Sequence, residues 1–172
     1  MSSSPSTHVE EGLDITLPEF RGLPSVRLEM SSLKTAERRL IEAKTVTPST
    51  YNELEYVFNE AYREIKKNLS VIGYQILKTQ NELEKSKASA LLDKYPEFLK
   101  DKGSKFDNAS TRDAFLARDE DYMSAKERLD TLKALEIFLE GKVKVMENVS
   151  RYMKTAMQLI IRSGSSDLPY KR

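Results

Sequence analysis

Cysteine is absent from all 172 residues, which excludes disulfides and thiolate chemistry and fits a reducing compartment. Histidine occurs once, as His8 in a polar stretch, where a lone imidazole reads as a solvated residue rather than a catalyst or ligand. Glycine and proline number only six each, so little interrupts long helices. No run approaches 18 consecutive apolar residues, and a membrane span is not expected. The start, Met1-Ser-Ser-Ser-Pro-Ser-Thr-His8, has no basic opening and no apolar segment, so it does not read as a secretory signal and a cytoplasmic location is expected. A glycine-rich phosphate loop, a nucleophile elbow and a His-Glu helical metal motif are all missing. No catalytic residue, metal ligand or cofactor is therefore expected, and the chain does not read as an enzyme.

What is there is charge, and it is balanced. Lys and Arg total 28 and Asp and Glu 27, a net charge of +1 that neither demands nor excludes a nucleic-acid partner. The 32% charged fraction suits long amphipathic helices. Residues 1–24 mix Ser, Thr, Pro and Gly with scattered apolar side chains and read as a mobile N-terminal arm, with Leu17, Phe20 and Leu23 as a short cluster able to dock. Residues 25–163 read as one helical oligomerisation and binding domain, and 164–172 as a C-terminal tail. The expected fold is all-α: a long antiparallel, coiled-coil-like helical hairpin with a short leading helix, assembled as an oligomer.

The leading helix is expected over 25–44, with Val26, Met30, Leu33, Leu40 and Ile41 on one face, ended by Thr47-Pro48. The second helix is expected over 48–95. Pro48 suits its first turn, and Thr50 and Glu53 have capping-box spacing. Its apolar positions suggest an eleven-residue period: Leu54, Phe58, Ala61, then Ile65, Leu69, Ile72, then Ile76, Gln80, Leu83. Lys94-Tyr95-Pro96 and the turn chemistry of 101–108 predict a break. A third helix follows from near Ser110, with Asp113 completing a variant capping box, to Ser163. Here the period is seven: Leu132, Leu139, Met146, Met153 and Ile160, with Leu135, Val149 and Ala156 as partner positions and Lys142 as a flaw. Four linked heptads signal a coiled coil, and these residues are the expected oligomerisation seam. Ile137, Phe138, Val143, Val145 and Ile161 lie off that seam, so further copies of the chain are expected to cover a second face.

Charge is distributed unevenly. Residues 76–106 hold seven Lys and five acids, residues 107–130 four bases and seven acids, and residues 131–172 eight bases and four acids. Lys85, Lys87, Lys94, Lys100, Lys102 and Lys105 cluster around the end of the second helix and the loop, with Tyr95, Phe98 and Phe106 among them. Lysines interleaved with accessible aromatics suit a single-stranded nucleic acid, the lysines tracking phosphates and the rings stacking bases. The plainer reading makes the lysines a solvated face and the aromatics a plug for the hairpin tip. Asp119-Glu120-Asp121, with Asp113 nearby, reads as a helix start favoured by the dipole rather than a cation site.

The order of features over residues 83–162 resembles the UvsY-type recombination mediators of tailed phages. The resemblance rests on the basic helix end Leu83-Glu-Lys-Ser-Lys-Ala-Ser-Ala-Leu-Leu-Asp-Lys-Tyr95, a Gly-bearing loop, Asp119-Glu-Asp121, the heptad leucines Leu129, Leu132 and Leu139, and Ser150-Arg151. It implies a small single-stranded-DNA-binding protein forming rings of six or seven subunits in a host cell's cytoplasm. Such proteins help a RecA-like recombinase load onto strands covered by a ssDNA-binding protein. The family's DNA contacts map here onto Lys85 and Lys87, with Lys94 beside them. Two departures stand out: Ser or Ala replaces an Arg of the family's basic stretch, and the arm and leading helix are additional. The competing expectation is a helical structural, assembly or adaptor protein without nucleic-acid binding.

Overall fold

The computed structural model describes residues 14–43, 45–103, 105, 107–163 and 168–169. It is all-α apart from four very short strands. The chain divides into two bodies, one of Met1–Glu64 with Val149–Arg172, the other of Ile65–Asn148. Among the described residues no helix is long and apolar enough to cross a membrane.

In the first body, β1 (Ile15–Leu17) and β2 (Val26–Leu28) form an antiparallel hairpin, with Ile15 opposite Leu28 and Leu17 opposite Val26. Its turn is built by Arg21 and Gly22, both at positive φ (44° and 79°), between Phe20 and Leu23, whose backbones exchange two hydrogen bonds. Positive φ at both central residues matches the right-handed twist of the flanking strands, and Gly22 takes it without strain. Asp14 fastens the hairpin, accepting from Arg27 Nε at 2.9 Å and from the Met30 amide at 3.3 Å. Within the expected arm, residues 14–24 carry the first strand and turn of this hairpin, with Leu17 and Leu23 buried, and residues 1–13 lie outside the described residues. The hairpin shortens the leading helix, because Val26 is in a strand and α1 runs Ser31–Glu42.

Helix α1 has no capping side chain of its own. Glu64 supplies one from a distance, accepting from the Ser32 amide at 3.0 Å, the Leu33 amide at 3.1 Å and Ser31 Oγ at 3.2 Å. A carboxylate there satisfies orphan amides and meets the positive end of the helix dipole. The strand β3 (Thr45–Val46) pairs antiparallel with β4 (Leu168–Pro169), so two residues of the expected C-terminal tail are held in this body.

Helix α2 (Pro48–Ser89) starts at Pro48 as expected. Its capping box lies one turn earlier than the sequence suggested. Thr50 Oγ1 accepts from the Thr47 amide at 2.7 Å, and Thr47 Oγ1 accepts from the Thr50 amide at 3.2 Å. Glu53, the expected capping residue, pairs instead with Arg39 at 3.2 Å.

In the second body, the latter part of α2 and the first part of α5 (Glu120–Ser163) form a helical hairpin. Its tip contains α3 (Tyr95–Lys102) and α4 (Ala109–Leu116). The expected break at Lys94-Tyr95-Pro96 does not occur. The chain passes from α2 through a π-turn, Ala90–Lys94, directly into α3, which ends at Gly103 with φ +91°. Pro96 lacks an amide hydrogen and its ring would crowd the carbonyl four residues back; a widened turn just before it relieves the clash. The third helix is split. Asn108, not Ser110, caps α4, its side chain accepting from the Thr111 amide at 2.9 Å. Arg118 and Asp119 donate three residues back to Phe115 and Leu116, and the helix restarts at Glu120.

The buried line of α2 is Leu54, Phe58, Ala61, Ile65, Asn68, Ile72, Gln75, Thr79 and Ser86. Up to Thr79 these follow the four-and-three spacing of a heptad, with Ser86 seven further on; Ile76, also buried, keeps the place the eleven-residue period gives it. Leu69, Gln80 and Leu83 stand to one side, half-buried. On α5, Leu132, Leu139, Met146, Met153 and Ile160 are buried as one line. Val143 occupies the position the sequence reading gave to Lys142, while Leu135 and Val149 are only half-buried and Ala156 is buried.

Candidate nucleic-acid interface

All six lysines expected to bind nucleic acid belong to the second body, on α2, the π-turn, α3 and the loop after it. Their surroundings differ. Lys94 forms a bridge: its Nζ donates to Asp119 Oδ2 at 2.6 Å and to Asp121 Oδ2 at 3.0 Å, tying the π-turn to the start of α5. These carboxylates raise the Lys94 pKa above its usual value. Asp119 is buried, which by itself pushes its carboxyl up, but the Lys94 ammonium and the Tyr122 amide outweigh burial and leave it below the usual carboxylate range. The Asp119–Asp121 run therefore caps α5 and neutralises Lys94.

Lys85 donates to Glu82 at 2.7 Å, one turn away on the same helix. An exposed pair of this kind contributes at most about 1 kcal/mol, so a phosphate can displace Glu82 at small cost. Lys87, Lys100 and Lys105 are exposed and have no ion pair among the described residues. The side chain of Lys102 lies outside the described residues.

The aromatic residues interleaved with these lysines take the plainer of the two expected roles. Tyr95 is 4% exposed. Its ring stacks on Phe98 with centroids 5.9 Å apart, and Phe115 meets both rings at 5.2 and 5.3 Å. Tyr95 Oη donates to Asp107 Oδ1 at 3.3 Å, and Arg112 holds the same carboxylate at 2.8 Å. Burial first, and then the Asp107 charge, raise the Tyr95 pKa. These rings pack on one another at the tip, Tyr95 buried and Phe98 and Phe115 half-buried. Phe106 lies outside the described residues.

A second basic stretch escaped the sequence reading, which tallied charge only from residue 76. Residues 65–81 contain Lys66, Lys67 and Lys78 and no acid at all. The signal was a local absence of carboxylates. Lys78 Nζ lies 5.6 Å from the centroid of Tyr74, and on α5 Lys142 Nζ lies 5.3 Å from that of Phe138. Both rings are exposed.

The expected oligomerisation residues Leu132, Leu139, Met146, Met153 and Ile160 are core residues of the single chain. Each body exposes a different apolar pair on α5, seven apart: Phe138 and Val145 in the second, Tyr152 and Leu159 in the first. No group of carboxylates, histidines or cysteines able to hold a metal ion occurs among the described residues. A shallow hollow lined by Ser31, Ser32, Thr35, Tyr56, Val57 and Glu60 lies in the first body, where Glu64 already satisfies the start of α1. Comparisons with protein-family models, curated sequences and solved structures give no match to this chain, so the resemblance above rests on the residue pattern alone.

Proposed function

We propose that this chain is an oligomeric single-stranded-DNA-binding protein, without catalysis of its own, that helps a RecA-like recombinase load onto strands covered by a ssDNA-binding protein. The observation that carries the DNA-binding part is the set of exposed lysines Lys87, Lys100 and Lys105, with Lys85 held only by a weak surface pair. The recombinase, the coat protein and a ring of six or seven subunits come from the resemblance over residues 83–162. Lys94 is left out of the binding set because two carboxylates already hold it. A few lysines per subunit make a weak site, and repetition around an assembly turns it into a strong one. Holding one strand at many phosphates competes with its coat protein and presents the strand to the recombinase.

Fluorescence anisotropy of a labelled oligo-dT at low and physiological salt tests this reading. Expected is salt-sensitive binding that weakens on Lys87→Glu and Lys100→Glu. Each lost phosphate contact should reduce the log–log salt slope by about 0.7. No binding even at low salt would leave the second reading, a helical assembly or adaptor protein. The exposed apolar pair Phe138 and Val145 of the second body favours that reading.

A further inference from the structure

We infer that Tyr74 is the base-stacking residue of the single-stranded nucleic-acid site, flanked by phosphate-holding lysines on the same helix face. The inference rests on the nucleic-acid reading above and supplies what that reading lacks. Binding of single strands combines a basic track with exposed aromatic faces. The tip provides lysines, but Tyr95, Phe98 and Phe115 are engaged with one another. Tyr74 is 54% exposed on α2.

Position and charge both point to it. Lys67, Tyr74 and Asn81 are seven apart, so they fall on one line of the outer face of α2, and all three are exposed. Lys78 is one turn beyond Tyr74 and sits against its ring. Lys66 and Lys67 lie about two turns before it, roughly 10 Å along the axis. The stretch 65–81 that carries them has three lysines and no acid. Lysines beside an exposed ring suit a polyanion that also carries stacking bases. Leu77, also exposed, extends the apolar surface beside the ring. Lys85, eleven residues and three turns beyond Tyr74, continues the same line within the second body.

Base stacking and phosphate binding are separable. The wild type, Tyr74→Ala, Tyr74→Phe and Lys78→Gln are titrated with labelled oligo-dT and with an abasic oligonucleotide of equal length, at several salt concentrations. Sedimentation velocity records the assembly state of each. Tyr74→Ala should weaken oligo-dT binding on the order of tenfold per stacked base, leave abasic binding unchanged and keep the salt slope. Tyr74→Phe should bind as the wild type does. Lys78→Gln should weaken both ligands alike and lower the slope. Unchanged oligo-dT affinity in Tyr74→Ala, with Lys87→Glu still defective, overturns the stacking role and leaves the DNA-binding reading intact. Equal losses on both ligands, or a changed sedimentation coefficient, make Tyr74 a structural or assembly residue instead. A wild type that binds neither oligonucleotide removes the DNA-binding reading and the stacking role together.

Discussion

Asp119 joins two parts of the hairpin tip with one carboxylate. Oδ1 accepts from the Tyr122 amide at 2.9 Å, capping α5, while Oδ2 accepts from Lys94 at 2.6 Å. Asp119→Ala removes both and should cost about 1–2 kcal/mol, the usual worth of a lost N-cap. Asp119→Asn keeps the cap and loses the charge. Because the folded carboxyl titrates below its unfolded value, its ion pair stabilises fully above about pH 4 and is lost as pH falls through the folded pKa. Lys94, whose pKa is raised, keeps its contribution until strongly alkaline pH. The gap in urea midpoint between wild type and Asp119→Asn should therefore be constant through neutral pH and narrow as the pH falls below the usual carboxylate range. A gap that stays the same at every pH down to acid unfolding would show that the charge is not what Asp119 contributes. The sequence displayed both partners, but as a basic cluster and an acidic run 25 residues apart. Which lysine meets which carboxylate depends on the split between α4 and α5, and no glycine or proline announces that split.

The elements were legible to the extent that their periodicity was apolar. The five-residue line Leu132, Leu139, Met146, Met153 and Ile160 is buried as its spacing required. On α2 the same logic failed, because four positions of the true seam are polar: Asn68, Gln75, Thr79 and Ser86. Passing over them to Leu69, Gln80 and Leu83 gives an eleven-residue period instead. The β-hairpin of residues 15–28 was hidden for a related reason: its strands are three residues long, too short for alternation to register, and Arg21-Gly22 is its only strong turn signal. The polar seam has an energetic consequence. Gln75 Oε1 and Thr79 Oγ1 are buried without a hydrogen-bond partner among the described residues, at 1% and 0% residue exposure. Buried unsatisfied groups cost about 1–3 kcal/mol each. Thr79→Val, nearly isosteric, and Gln75→Leu should each raise stability by about 1 kcal/mol, read as a higher urea midpoint at unchanged slope. A drop in stability would mean that water or an assembly partner satisfies these oxygens in solution. Polar residues at coiled-coil core positions fix register and partner number at the expense of stability, so the stabilised variants should also be examined for a changed assembly state.

At the scale of the whole molecule, α5 carries two overlapping heptads. The inner line closes the core of the single chain. The outer positions remain exposed, Phe138 and Val145 in the second body and Tyr152 and Leu159 in the first, with Leu135 and Val149 half-buried. The sequence reading combined Leu135 and Val149 with the inner line and assigned the whole to assembly. The two seams share one helix, and only burial separates them. The separation gives different outcomes to substitutions one residue apart. Leu139→Asp buries a charge in the core and should unfold the chain outright. Phe138→Asp and Val145→Lys place charge on an exposed face and should leave the melting transition within about 0.5 kcal/mol of wild type. If these outer positions join copies of the chain, both should shift sedimentation velocity toward the monomer. DNA affinity should then fall with them, because phosphate contacts on separate subunits no longer act on one strand. A folded monomer that binds oligo-dT as tightly as the wild type would remove multivalency from the mechanism, while an assembly untouched by either substitution would move the subunit contact to another face of the chain.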